Sequence, residues 1–153
     1  YFAHHYLEKG DRTIDQMVQA ARSGKQNIAE GAAAGNTSKE TEIKLTNVAK
    51  ASLQELLVDY EDFLRVRGLK QWQPDDARLA QTKRACAAHN DSEYYRKAMP
   101  ERSAETIANI AITLIHQTDW LLNKLIEKLE IQFVENGGVK EQMTKARKEY
   151  RGY

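Results

Sequence analysis

Three long segments carry apolar residues spaced three and four positions apart, and this spacing limits the fold more than any other feature of the chain. The segments are 11–34, 38–67 and 103–133. Such spacing places apolar side chains on one face of an α-helix. Only two prolines, Pro74 and Pro100, interrupt the 153 residues, and no stretch alternates as a β-strand does. We therefore predict an all-α protein whose long helices pack side by side.

Capping and stop residues mark the helix ends. Asp11, Ser38 and Ser103 are good N-caps for the three long helices, and Gly68 ends the second of them. Residues 1–9 resemble the last turns of a truncated earlier helix, ended by Gly10. The helix of segment 11–34 also contains small residues that let a neighbouring helix approach closely: Ala20, Ala21, Gly24, Ala29 and Gly31.

Residues 69–102, called the insertion here, lie between the second and third long segments. The insertion contains two short helical stretches, 75–89 and 92–99. Beyond the last long helix, the Asn136-Gly137-Gly138 stretch is expected to be a hinge, and residues 134–153 form a polar, basic tail that is not part of the bundle. We predict that residues 1–133 form one domain that includes the insertion.

Polar residues a turn apart on two helices suggest an internal contact. Arg22 and Glu30 share one helix face, and Ser52 and Glu55 lie on one face of the next helix. One interpretation is a polar seam, in which Arg22 pairs with Glu55 or Glu30 and is partly buried. The other is that all these charges face water, because Arg and Glu are seldom fully buried. The predicted seam residues are Arg22, Asn27, Glu30, Ser52 and Glu55.

The same region carries a resemblance to a known family. The pattern R-S-x-x-x-N-I-A-E-G at 22–31, Ser38 with Glu42, and A-S-L-x-E-L at 51–56 carry it. This pattern resembles the four-helix-bundle proteins encoded in bacterial ribosomal RNA intervening sequences, of the type called four helix bundle suffix. The resemblance covers about residues 11–67 and resumes after Ser103. It implies an antiparallel up-down four-helix bundle and no particular chemistry, and the insertion departs from it.

Distant members of that group imply a functional class. They are the accessory variability determinants of diversity-generating retroelements, which resemble basic, barrel-shaped pentamers that bind a reverse transcriptase and nucleic acid. The resemblance therefore implies a bacterial homopentamer that binds RNA or DNA and partners a reverse transcriptase.

Charge and cysteine content constrain the partners and the compartment. The formal net charge is +1, so the chain has no global field that attracts nucleic acid, and any basic surface must be local. The single cysteine, Cys86, excludes an internal disulfide and fits a reducing cytoplasm. No apolar run reaches the roughly 18 residues of a membrane span. No signal peptide is visible, although the chain starts at Tyr1, without a Met, and a targeting segment could lie upstream.

Two regions are locally basic, the insertion and the tail. Each is either a nucleic-acid surface or simply a solvated stretch of helix. The candidate nucleic-acid contacts are Arg78, Lys83, Arg84, Arg96, Lys97, Lys140, Lys145, Arg147, Lys148 and Arg151.

The last long helix carries two apolar stripes, whereas a helix in a monomeric bundle needs one. A surplus stripe suggests a contact between subunits, because monomers rarely expose large apolar patches. The alternative is that the insertion covers the second stripe within one chain. The candidate oligomer interface is Ile112, Ile115, Trp120, Leu122 and Ile126.

No pattern in the chain predicts an active site. There is no glycine-rich phosphate loop, and no Glu-x-x-His pair that would hold metals in a bundle. We therefore expect a non-enzymatic protein with no cofactor, metal or small-molecule substrate. Two functions remain: a nucleic-acid or ribonucleoprotein accessory factor, or a protein-only oligomeric scaffold.

Overall fold

The computed structural model describes residues 1–152, and the chain in this range is all-α, as predicted, with no strand. The number of helices is compatible with a bundle. In chain order, the helices are α1 (Phe2–Tyr6), α2 (Arg12–Ala34), α3 (Lys39–Val66), α4 (Ala77–Ala88), α5 (Ser92–Ala98), a 3₁₀ turn (Met99–Glu101), α6 (Ala104–Asn136) and α7 (Val139–Arg151).

The helix ends follow from local chemistry. Asp11 accepts a hydrogen bond from the backbone N–H of Thr13, and Ser103 accepts one from the N–H of Thr106. Gly68 adopts a positive φ of 63°, and the N–H of the following residue, Leu69, bonds back to the carbonyl of Leu64 at 2.9 Å. This is a glycine-terminated helix end, because only glycine takes that backbone conformation without strain.

The tail differs from the sequence expectation. Helix α6 continues past Phe133 to Asn136, and α7 occupies Val139–Arg151. The break between them falls at Gly137, which has a φ of +72°. The predicted end of the last long helix, at residue 133, is three residues too early. Val134, Glu135 and Asn136 are exposed, but exposed residues can still be helical.

The chain divides into two compact units. The first unit combines Tyr1–Ala21 with Leu53–Thr118, and the second combines Arg22–Ser52 with the chain from Asp119 onward. Helices α2, α3 and α6 each contribute residues to both units. The insertion belongs wholly to the first unit, and α7 belongs wholly to the second.

The first unit contains an apolar core with bulky side chains. Phe2 of α1 packs against the rings of Tyr60 and Phe63, with ring centroids 5.0 and 4.7 Å away. Leu64 is 1% exposed. The buried cluster consists of Phe2, Ala3, Met17, Ala20, Leu56, Leu57, Phe63, Leu64, Ile107, Ala108, Ile112 and Ile115. Two residues of the insertion, Leu69 and Met99, pack against it.

In the second unit, α2 and α3 approach each other as an antiparallel pair through small and polar residues. Near the turn, a Cβ added at Gly35 would come within 2.0 Å of a carboxylate oxygen of Glu42. A Cβ at Gly31 would lie 3.4 Å from the Glu42 carbonyl oxygen and from the Leu45 Cβ. Glycine at position 35 therefore leaves room for the buried Glu42 carboxylate, whereas a Cβ at position 31 would make only ordinary contacts.

Candidate functional site

The polar seam exists in the second unit, but it is neutral. The hydroxyl oxygens of Ser23 and Ser52 lie 2.8 Å apart. The Asn27 side-chain amide donates to the Ser23 carbonyl oxygen at 2.9 Å and to its hydroxyl at 3.2 Å. Ser52 is buried, while Ser23 and Asn27 are half-buried. Of the predicted seam residues, the structure therefore places Asn27 and Ser52 together.

The charged part of the predicted seam is wrong. Arg22, Glu30 and Glu55 are all exposed, so no partly buried ion pair forms among them. The spacing along each helix was correct, but it does not say which face is inside. Because a buried charge is expensive without a partner, the chain places small hydroxyl groups inside and leaves the charges in water.

Three further polar contacts of the second unit were not predicted. The Lys50 ammonium group bonds to the side-chain oxygen of Asn123, which links α3 to α6. Glu42 is buried and pairs with Lys39 at 3.2 Å, and the buried Thr46 hydroxyl donates to the Glu42 carbonyl oxygen at 2.7 Å. The sequence marked Ser38 as an N-cap and Glu42 as part of a motif, but it did not indicate that Glu42 is buried.

In the first unit, the insertion is fastened along α6 by Asn109, which is 2% exposed. Its side-chain oxygen accepts from the Trp72 backbone N–H at 2.8 Å, and its amide donates to the Lys70 carbonyl oxygen at 2.9 Å. Further on, the Gln117 amide donates to the Lys83 carbonyl oxygen at 3.1 Å. The sequence signal was a lone Asn within an apolar stretch of the helix.

A charge network closes the start of α4. The Arg78 guanidinium donates to both carboxylate oxygens of Asp76, at 3.1 and 2.9 Å, and lies 3.5 Å from Glu105. These hydrogen bonds, from the Arg78 side chain first and its backbone second, hold the pKa of Asp76 well below its usual range. The guanidinium carbon of Arg78 also lies 4.9 Å from the centre of the Trp72 ring. Arg78 is thus a structural cation.

The other predicted contacts of the insertion vary in their availability. Arg96 lies 3.7 Å from Glu93, an exposed pair that contributes little. Lys83, Arg84 and Lys97 are exposed and have no ion-pair partner in residues 1–152. They lie on two short helices, α4 and α5.

Helix α7 of the second unit carries the other predicted contacts. Every residue from Val139 to Arg151 is exposed. The helix carries five cations and two carboxylates. One of the carboxylates, Glu141, accepts a hydrogen bond from the Gly138 backbone N–H at 2.7 Å. The cations, none of which has an ion-pair partner within residues 1–152, are Lys140, Lys145, Arg147, Lys148 and Arg151.

The candidate oligomer interface divides into buried and exposed residues. Ile112 and Ile115 belong to the core cluster of the first unit, and Leu122 is buried in the second. These three therefore offer no surface to another subunit, and their assignment to an interface is wrong. The insertion packs against the core that contains Ile112 and Ile115, which is the alternative that the sequence left open. Ile126 is half-buried.

Trp120 is the exposed member of that set, at 60%. Leu121, Ile131 and Val134 of α6 are also exposed. With about 100° per residue, Trp120, Ile131 and Val134 fall within about 60° of one another around the helix. They form an exposed apolar stripe in the second unit, interrupted by the ion pair between Lys124 and Glu127.

An aromatic cleft in the first unit was not predicted. It has a volume of about 470 Å³ and lies among α1, α3, the insertion and the first half of α6. Cys86 is buried in its wall, and this burial raises the pKa of the thiol, partly offset by a hydrogen bond with Tyr95. The Tyr95 hydroxyl donates to the His89 carbonyl oxygen at 2.6 Å, and burial first, with Cys86 second, raises its pKa.

Neither a cation-binding cluster nor a membrane-crossing helix occurs in the part of the chain that the structure describes. No three His, Cys, Asp or Glu side chains come together as a cation-binding group there. None of the helices between Phe2 and Arg151 has the length and apolarity that a membrane crossing requires.

Comparison with known proteins gives no family for this chain. No protein-family model matches it, and neither the curated proteins nor the solved structures include a match. The resemblance to the four-helix-bundle proteins of ribosomal RNA intervening sequences is untested by these comparisons and stays a prediction.

Proposed function

We propose that the protein is a non-enzymatic accessory factor that binds nucleic acid through the basic face of α7. The observation that carries this proposal is that three of the five exposed cations of that helix share one face, whereas Lys145 lies on the side of the carboxylates. With about 100° per residue, Lys140, Arg147 and Arg151 fall within about 40° of one another, and Lys148 lies about 60° further round. The carboxylates of Glu141 and Glu149 lie outside this group.

The dimensions of this face suit a phosphate backbone. Eleven residues separate Lys140 from Arg151, which is about 16 Å along the helix axis at about 1.5 Å per residue. Several phosphates of one strand fit within that length, since they are spaced by about 3.4 Å of duplex axis. Because the whole chain has a net charge of only +1, the attraction is local, within a Debye length of about 8 Å at physiological salt.

The finer parts of the proposal rest on the resemblance alone. They are a bacterial, cytoplasmic ribonucleoprotein, a reverse transcriptase as protein partner, and a homopentameric assembly. Lys83, Arg84 and Lys97 of the first unit are the secondary contacts, because they are exposed and have no ion-pair partner in residues 1–152.

A charge-matched pair of variants tests the α7 face. One carries Lys140→Gln, Arg147→Gln and Arg151→Gln; the control carries Lys25→Gln, Lys44→Gln and Lys128→Gln, which removes the same charge from exposed positions of the same unit. Fluorescence anisotropy with a labelled single-stranded RNA and a DNA duplex is measured over a range of salt concentrations.

The expected result is that the wild type and the control bind, and that the α7 variant binds more weakly. Each lost phosphate contact lowers the slope of log affinity against log salt by about 0.7 for single strands and about 0.9 for duplex. The slope should therefore fall by about 2 to 3 in the α7 variant. No binding by the wild type at low salt, or an equal loss in the control, contradicts the proposal.

The exposed stripe of Trp120, Ile131 and Val134 favours a second candidate function, a protein-only oligomeric scaffold. Exposed apolar side chains that share one helix face mark interaction surfaces more often than they persist on monomers. Sedimentation of the wild type is compared with the Trp120→Ser, Ile131→Ser, Val134→Ser variant and with Val66→Ser, an exposed apolar residue of the first unit. An assembly that only the triple variant disperses supports the scaffold; a mass near 17.5 kDa at micromolar concentration excludes it.

A further inference from the structure

The cleft of the first unit has the size of a site for a small organic molecule. Its volume of about 470 Å³ falls within the roughly 300–1,000 Å³ of typical ligand sites. Its lining comes from α4, α5 and α6, with Phe2 of α1, Tyr60 of α3 and Trp72. The insertion, held on α6 by Asn109, therefore creates a concave surface as well as covering the core.

The walls of the cleft are apolar and aromatic. Its lining contains no Asp or Glu, although 22 such residues occur in the chain. The side chains that would contact the body of a ligand include Tyr60, Trp72, Tyr95, Met99, Ile107 and Leu114. Flat apolar molecules are favoured there, because aromatic rings stack on one another in offset or edge-on geometry.

Two cations line the cleft, and they differ in their partners. Arg78 is neutralised by Asp76 and lies near Glu105. Arg102 is exposed, and within residues 1–152 no carboxylate lies within ion-pair distance of it. Its backbone carbonyl oxygen accepts a hydrogen bond from the Tyr6 hydroxyl at 3.3 Å, which ties this part of the chain to α1.

A polar group at the cleft also lacks a partner. Trp72 is only 6% exposed, and its buried indole N–H makes no hydrogen bond within residues 1–152. Buried polar groups are nearly always hydrogen-bonded, and an exception suggests an unoccupied partner position. The nitrogen itself has almost no accessible surface, so Trp72 lines the cleft with its other atoms.

We propose that this cleft binds a small organic carboxylate with a flat apolar body, whose carboxylate pairs with Arg102 and whose body lies between the insertion and α6. Charge decides between the classes of ligand. An organic cation would meet Arg102 with no lining carboxylate to balance it. A neutral apolar molecule would fill the cleft but leave Arg102 without a partner. A carboxylate satisfies both the apolar walls and the cation.

The test uses 2-naphthoate as the probe and 2-naphthamide as its neutral counterpart. Both are titrated into the Trp120→Phe variant, in which Trp72 is the sole tryptophan, so that its fluorescence reports on the cleft alone. Binding is measured in parallel by calorimetry. We expect 2-naphthoate to quench Trp72 and to bind about tenfold more tightly than the amide, since a charge-assisted hydrogen bond is about twice as strong as a neutral one.

Two further substitutions, each made in that variant, locate the charge. Arg102→Gln should weaken 2-naphthoate about tenfold and leave the amide unchanged. Lys97→Gln, which removes an exposed cation of α5 that does not line the cleft, should leave both ligands unchanged.

Four results of these titrations overturn the proposal. They are equal affinities for the acid and the amide, no effect of Arg102→Gln, binding that leaves Trp72 fluorescence unchanged, and no binding of 2-naphthoate at millimolar concentration. Displacement of the probe by a second copy of the chain, seen as lower apparent affinity at higher protein concentration together with a dimer in sedimentation, also overturns it.

Discussion

The packing inside the first unit of this chain differs from the packing inside the second, although the same three helices contribute to both. In the first unit, bulky apolar side chains such as Phe63 and Leu64 fill a continuous core, and a buried Asn holds the insertion on α6. In the second, the α2–α3 contact is made by glycine, serine and a buried carboxylate. Apolar volume stabilises the first unit, and close helix approach with paired polar groups organises the α2–α3 contact of the second.

One amphipathic helix pattern therefore supports two kinds of packing in this chain. Large side chains keep helices apart and gain free energy from burial, at about 25 cal/mol per Å² of apolar surface. Small residues gain less from burial, but they specify register, because each hydroxyl or carboxylate must meet its partner. Substitutions should therefore have larger effects in the first unit, and the following measurements test that ordering.

The largest effect is expected from Leu64→Ala, which empties part of the core of the first unit. Removal of a fully buried Leu side chain costs about 2–5 kcal/mol of the free energy of unfolding, from lost transfer energy and the remaining cavity. Urea denaturation followed by circular dichroism measures it. Val66→Ala, at an exposed position two residues on, is the control and should change stability by about 0.5 kcal/mol or less. Equal effects of the two would contradict the burial of Leu64 in a packed core.

The next effect is a loss of stability at alkaline pH through Tyr60. Burial, with a smaller contribution from Asp59, raises the pKa of Tyr60 from 10.0 to about 12. The unfolded chain then releases the phenol proton before the folded chain does, so the stabilisation is complete below pH 10 and is lost as the pH rises towards 12. The loss is of the order of 2 kcal/mol. Tyr60→Phe should flatten this part of the curve; an unchanged slope would contradict the assignment.

In the second unit, Gly35→Ala should cost about 1–2 kcal/mol, because the new methyl group displaces the buried Glu42 carboxylate. Gly31→Ala is the matched control: its Cβ meets ordinary contacts, and alanine favours a helix by roughly 1 kcal/mol over glycine. The two substitutions should therefore differ in sign. Thermal melting of both variants measures the difference, and equal shifts would mean that the Glu42 side chain moves away from residue 35 without cost.

The smallest effect belongs to the seam itself. Ser52→Ala should cost about 1 kcal/mol, the net value of a typical hydrogen bond. The double variant with Ser23→Ala should cost less than the sum of the two single variants, since each removes the same contact. Glu55→Ala, an exposed position, should stay within about 0.5 kcal/mol of the wild type. A larger loss for Glu55→Ala than for Ser52→Ala would restore the charged seam that the structure excludes.

Much of the fold was predictable because helix formation is local. Asp11, Ser38 and Ser103 marked helix starts, and Gly10 and Gly68, both with positive φ, marked breaks. The two helices of the insertion were also placed within about two residues of their bounds, the usual uncertainty of helix ends.

The sites were less predictable because they depend on which surfaces meet. The spacing of Arg22 and Glu55 fixed their helix faces but not the orientation of those faces. The apolar stripe that includes Ile112 and Ile115 needed a cover, and the sequence does not say whether the cover comes from the same chain. The aromatic cleft combines residues from four separate segments, so no local pattern reveals it.

The single thiol of the chain, Cys86, can report on what reaches the cleft. Cys86 lines the cleft but is only 6% exposed, and burial raises its pKa, so a thiol reagent meets little accessible sulfur and little thiolate there. Because no other cysteine competes, the alkylation rate of the intact protein reports on this one position. A molecule bound in the cleft should slow that rate, so occupancy is recorded at one sulfur atom without any label having to be introduced.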